Sequence, residues 1–184
     1  MTKTEKLLRE LIALPSVNPA FLPANDPNSG EKRVAEFLAA VAARSGLSVE
    51  FRPVLTNRAN LIATYQPPSK AKRRIVLAPH MDTVGAPGAV FTPQLKGNRL
   101  YGRGASDTKG SVAAMLSAII EVIEARTRPK QTEIVFISPG LLRGDCRMIE
   151  LDLLPIISFD ILIIDTAEFQ QRKAITNVLS SVPG

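Results

Sequence analysis

Ile75-Val76-Leu77-Ala78-Pro79-His80-Met81-Asp82-Thr83-Val84 and, after a Gly- and Pro-rich interval, Leu100-Tyr101-Gly102-Arg103-Gly104-Ala105-Ser106-Asp107-Thr108-Lys109-Gly110 decide how this chain folds. The first run opens on four apolar residues bounded by a proline, which suits a short buried strand. The second leads into Val112, Met115, Leu116, Ile119, Ile120 and Ile123, an i, i+3, i+4, i+7, i+8 ladder that predicts a helix packed against something large. A buried strand, a long loop and an apolar helix in that order are the parts of a βα unit. In open α/β sheets the functional groups gather just past the carboxyl ends of such strands.

Working outward, Thr2 stands three residues before Glu5 in capping-box spacing, and Leu7, Leu8, Leu11 and Ile12 then share one helical face up to Pro15. A loop over 19–30 rich in Pro, Asn and Gly precedes a second helical pattern, Val34, Phe37, Leu38 and Val41, which Gly46 stops. Strand-like runs cover 48–54 and 60–65, and shorter apolar, β-branched runs cover 133–137 and 161–164. Near-continuously apolar strands separated by helical patterns predict a sheet covered on both faces. The expected fold class is therefore α/β, three-layered, with a largely parallel sheet and flanking helices.

Composition bounds the function classes. The chain has 184 residues, a formal charge of +6 and 45% hydrophobic residues, which suits one globular domain. At this length roughly 70% of the unfolded chain's surface can be buried, so a core needs no disulfides. The lone Cys146 excludes an internal disulfide and a multi-cysteine zinc finger, and its neighbours Arg143 and Arg147 do not make it a nucleophile without a base. His80 is the one histidine, so these residues complete no site that needs two imidazoles. The charged opening and Pro15 do not form a signal sequence, and the apolar window 112–123 is too short for a membrane span, so a cytoplasmic protein is expected. Lys70, Lys72, Arg73 and Arg74 read as a solvated turn; without a nucleic-acid motif or interleaved aromatics, no nucleic acid partner is expected.

His80-x-Asp82 has the logic of a metal-site element: an imidazole supplies one nitrogen while a nearby carboxylate accepts the other ring N–H and fixes the tautomer. By itself the signal is weak and reads more readily as a loop histidine beside a solvated aspartate. Asp107, just before a helix start, reads by itself either as a helix cap or as a carboxylate presented on a glycine-constrained loop. Together the two elements resemble the zinc amidohydrolase family of aminoacylase, acetylornithine deacetylase, succinyl-diaminopimelate desuccinylase and glutamate carboxypeptidase. The resemblance extends back to Leu11-Ile12-Ala13-Leu14-Pro15-Ser16-Val17-Asn18-Pro19 and Asn60-Leu61-Ile62-Ala63, and weakens after Ile137.

The resemblance implies roles. His80 would bind one metal, Asp82 would act catalytically by orienting and polarising His80, and Asp107 would bridge two zinc ions, with a cis peptide bond after it. Asp165, past the strand at 161–164, matches a further acidic ligand, with Glu168 a competing choice. Zinc is the implied cofactor, with cobalt or manganese as substitutes. The implied reaction is hydrolysis of an amide in a small N-acyl amino acid or peptide, using a metal-bound water and a glutamate base. Where the family carries adjacent glutamates, as base and metal ligand, this chain reads Leu141-Leu142. The family also draws a second histidine from beyond an inserted lid or dimerisation domain, and neither is encoded in these residues. The expectation is thus a partial catalytic domain over 1–184, truncated at its C-terminus and inactive alone. The alternative is a non-catalytic degenerate fragment with a structural or interaction role. An uncovered sheet would favour self-association.

Overall fold

The computed structural model describes residues 1–139 other than 24, 56, 57, 87, 126 and 127, together with the backbone of 161–165. Helix α1 (Lys3–Ala13) begins where Thr2 Oγ1 accepts from the Glu5 backbone N–H at 3.0 Å, and it buries Leu7, Leu11 and Ile12. Helix α2 (Lys32–Arg44) buries Val34, Ala35, Leu38 and Ala42. Helix α3 (Lys109–Glu124) is apolar around most of its circumference and buries the whole ladder from Val112 to Ile123.

Five strands form the main sheet: β1 (Ser48–Leu55), β2 (Arg58–Tyr65), β3 (Arg73–Pro79), β6 (Thr132–Ser138) and β7 (Ile161–Asp165), in the order β1-β2-β6-β3-β7. β6, β3 and β7 run parallel, whereas β1, β2 and β6 pair antiparallel. The link from Leu55 to Arg58 is far too short for a crossover, so β1 and β2 must form a hairpin. The expected parallel core is therefore the β6-β3-β7 part, which the hairpin extends. Between β3 and β6 the chain crosses through α3.

Side-chain alternation sorts the sheet into two apolar faces. Leu61, Ala63, Tyr65, Ile75, Leu77, Ile134 and Phe136 join the helices in the main core. Ile62, Val76, Ala78, Val135 and Ile137 form a second buried cluster on the opposite face. Every residue of β6 is buried, as a strand apolar on both sides requires.

One element escapes the sequence reading. The interval after His80, expected as loop, contains a hairpin of β4 (Gln94–Lys96) and β5 (Arg99–Tyr101). Its strands are three residues each and mostly exposed, so they leave no apolar alternation to detect; Gly97, at φ +61°, makes the turn. The hairpin delivers the chain to the glycine-rich loop before α3.

Candidate metal centre

Three segments converge at the carboxyl end of β3. Residues 80–83 leave that strand directly, residues 16–18 follow α1, and residues 102–108 lead from β5 into α3. The first two run side by side: Thr83 N–H donates to Ser16 O at 2.9 Å, Asn18 N–H donates to Thr83 O at 2.9 Å, and Ser16 Oγ donates to Met81 O at 2.7 Å. Ser138 Oγ, at the end of β6, donates to Pro79 O at 2.9 Å and ties the two parallel strand ends together. These bonds satisfy backbone groups that a buried loop would otherwise leave unpaired, and they hold 80–83 in one conformation.

His80 is held at both ring nitrogens. Nδ1 lies 3.1 Å from Asp82 Oδ1, and Nε2 lies 3.1 Å from Asp107 Oδ1. Asp82 is buried, at 8% exposure, and its other oxygen, Oδ2, accepts from Asn18 Nδ2 at 2.8 Å. The Asp82 carboxylate is thereby fixed at both oxygens, and it aligns the imidazole. Burial opposes charging His80, but the hydrogen bond and charge of Asp82, followed by Asp107, outweigh it and raise its pKa above the ordinary histidine value. A ring flanked by two carboxylates favours a cation at the Nε2 position, which a proton or a metal ion can supply.

The Asp107 side chain is 66% exposed, and the N-cap of α3 is Thr108 without a side-chain cap bond. Of the two readings the sequence leaves open, the structure therefore favours the presented carboxylate: Asp107 meets His80. The Asp107–Thr108 peptide bond is cis, as the resemblance implies.

The loop that carries Asp107 is anchored by Lys109, whose role the sequence does not disclose. Lys109 is fully buried, and its Nζ donates to Leu11 O at 2.9 Å and Leu14 O at 2.6 Å, two carbonyls at the open end of α1. Burial, with the charge of Arg33, lowers its pKa to about 7. Gly104, at φ +83°, lies against this side chain; a Cβ there would sit 2.8 Å from Lys109 Cδ and 3.0 Å from Thr83 Cγ2.

The donor set fits a divalent ion of zinc type. Ligand bonds of about 2.0–2.1 Å at a tetrahedral angle put neighbouring donor atoms about 3.3 Å apart. The 3.1 Å between His80 Nε2 and Asp107 Oδ1 is close to that. Asp82 and Asn18 supply hydrogen bonds of the kind that would orient His80 toward a metal. Among the described residues no group of three or more His, Cys, Asp or Glu side chains is gathered for a metal. The candidate centre among those residues is thus a pair of donors with its support.

The other residues singled out in the sequence lie apart from this pair or beyond it. Asp165 ends β7, and its backbone lies in register with Pro79, one residue before His80. Leu141, Leu142, Cys146 and Glu168 lie outside the described residues. Asn18 belongs to the stretch that carries the resemblance, yet the sequence alone gives it no role, because its partner is 64 positions away in the chain.

Comparison with known proteins bears on the family and the fold. Residues 76–140 match the model of Peptidase family M20/M25/M40. The chain is 35% identical over 143 residues to the succinyl-diaminopimelate desuccinylase of Variovorax paradoxus, covering 72% of this chain and 34% of that protein. It is 34% identical over 125 residues to the acetylornithine deacetylase of Edwardsiella ictaluri, covering 63% of this chain and 30% of that one. Its fold is similar to that of human carnosine dipeptidase 1, with a TM-score of 0.64 at 19% identity over 79% of this chain and 33% of the other. The chain spans about a third of the length of the curated relatives it matches. The βα unit that carries His80, Asp82 and Asp107 lies in the stretch that matches a Peptidase family M20/M25/M40 domain.

Proposed function

We propose that this chain is the N-terminal part of a metal-dependent hydrolase acting on the amide bonds of small N-acyl amino acids or peptides, with His80 and Asp107 as metal donors. The observation that carries the reading is the clamped imidazole: Asp82 on Nδ1, Asp107 on Nε2, and Asn18 bracing Asp82. Zinc, or cobalt or manganese in its place, would polarise the scissile carbonyl and acidify a bound water. Asp82 keeps the Nδ1 proton and leaves Nε2 free to donate its lone pair. Asp165, placed beside Pro79 by the β3–β7 register, is the candidate for a further carboxylate at this end of the sheet.

A second reading has its own support. The 184 residues include one histidine, and at 141–142 they offer leucines, which neither take a proton nor bind metal. On this reading they hold one ion and turn over slowly or not at all without further groups, since a positioned base alone contributes about 10²–10⁴-fold. An assay of the purified, zinc-supplemented chain on N-acetyl amino acids tests whether these residues suffice for turnover. We expect no hydrolysis above the rate without protein. Zinc-dependent turnover that His80→Ala abolishes would establish the full activity and remove the non-catalytic reading.

A further inference from the structure

Arg103 stands apart from the other arginines of this protein. Among the described residues, five arginines are partly buried: Arg9, Arg52, Arg58, Arg74 and Arg103. The first four have a carboxylate partner, in Glu5, Glu50, Glu31 and Glu133 respectively. Arg103 has none among the described residues; its Nε is buried without a hydrogen-bond acceptor, and its backbone N–H alone is tied, to Val90 O at 2.7 Å. A partly buried guanidinium without a carboxylate partner is a group that gains by meeting an oxyanion.

Its position says where that oxyanion would come from. Arg103 lines the cleft of about 250 Å³ that also contains His80, Asp82 and Asp107. It equally lines a neighbouring cleft of about 380 Å³, walled by Val90, Thr92, Gln94 and Tyr101. Arg103 thus lies at the partition between the candidate metal donors and a second recess. Thr83, 5% exposed, lines the metal cleft too, and its Oγ1 is also buried without a partner. A guanidinium that lines this cleft without a carboxylate partner among the described residues is complementary to a group with two acceptor oxygens.

We propose that Arg103 is a specificity-determining residue that receives a carboxylate of the substrate beside the scissile amide. This rests on the hydrolase reading of the same cleft. The planar guanidinium offers parallel N–H groups to a carboxylate, so a lysine replaces it poorly. The shared chemistry is a carboxylate, which an N-acyl amino acid carries either on its amino-acid end or on its acyl end.

The test measures binding to the chelator-treated, metal-free chain by titration calorimetry, so that no bound metal competes for the carboxylate. The probes are N-acetyl-L-leucine, N-succinyl-L-leucinamide and the uncharged N-acetyl-L-leucinamide. At least one of the two acids should bind, and the stronger one identifies which end Arg103 reads. Arg103→Gln should weaken that acid by at least about tenfold, Arg103→Lys should weaken it less, and the neutral amide should bind weakly and equally to all three proteins. Circular dichroism melting checks that the variants fold. Equal binding of acid and amide, no binding of either acid to the unsubstituted chain, or an unchanged affinity in Arg103→Gln would overturn the proposal. Zinc uptake by Arg103→Gln separates the two readings. Normal uptake with unchanged carboxylate affinity sinks the Arg103 role and leaves the metal reading intact. Arg103-dependent carboxylate binding in a chain that takes up no zinc does the reverse.

Discussion

At the scale of single residues, the candidate centre depends on side chains that never touch the ion. Asp82 and Asn18 form a relay in which Asn18 Nδ2 holds one oxygen of Asp82 and His80 Nδ1 occupies the other. Supporting partners of this kind typically change metal affinity by about 10–100-fold. Asp82→Asn is therefore expected to weaken zinc binding by roughly that factor, with Asn18→Ala producing a smaller loss in the same direction. Competition titration with a chromophoric chelator measures both; affinities equal to that of the unsubstituted chain would show that the relay does not orient His80. The residues that carry the resemblance are legible in the chain because they are close in sequence. The parts played by Asn18 and Lys109, which lie in the same stretches, are not, since each acts through a tertiary contact. Lys109 in particular reads as the polar start of an apolar helix, yet the structure buries it against carbonyls 95 and 98 positions away.

Elements place those residues. Helix α3 runs from the loop that presents Asp107 into the main core, and Leu116 in its middle is fully buried. Leu116→Ala should cost about 2–5 kcal/mol of stability, which chemical denaturation with an unchanged m-value would show. A loss under about 1 kcal/mol would mean that α3 is not packed into that core. Gly104 is the corresponding point in the loop. Its left-handed backbone and the nearby Lys109 and Thr83 leave no room for a Cβ. Gly104→Ala should destabilise by about 1–3 kcal/mol and reduce zinc binding together, because the same displacement moves the segment carrying Asp107. Retained stability and zinc affinity would show the loop to be adaptable. The periodicity of α1, α2 and α3 and the apolar runs of the strands are legible in the sequence, since burial imposes those patterns directly. The β4–β5 hairpin is not, because short exposed strands need no apolar pattern.

For the molecule as a whole, the sequence discloses an α/β sheet but not its pairing. The apolar runs at 60–65, 75–78 and 133–137 show that the strands are buried, and their order as β2-β6-β3 follows from contacts that no local pattern encodes. The arrangement nevertheless explains why the site lies where it does. β3 is an interior strand, flanked by β6 and β7 in parallel, so the segment that leaves its carboxyl end meets the loop before α3 and the end of β7. The +6 charge leaves this acidic spot in a basic molecule, and the carboxylate site proposed at Arg103 lies on its wall. The most direct test of the metal reading is the zinc content of the purified chain after dialysis, by elemental analysis, beside His80→Ala and Asp107→Asn. One zinc per folded chain, lost in both variants, is the expected result. Zinc retained by both variants, or no zinc taken up by the unsubstituted chain, would contradict His80 and Asp107 as its donors.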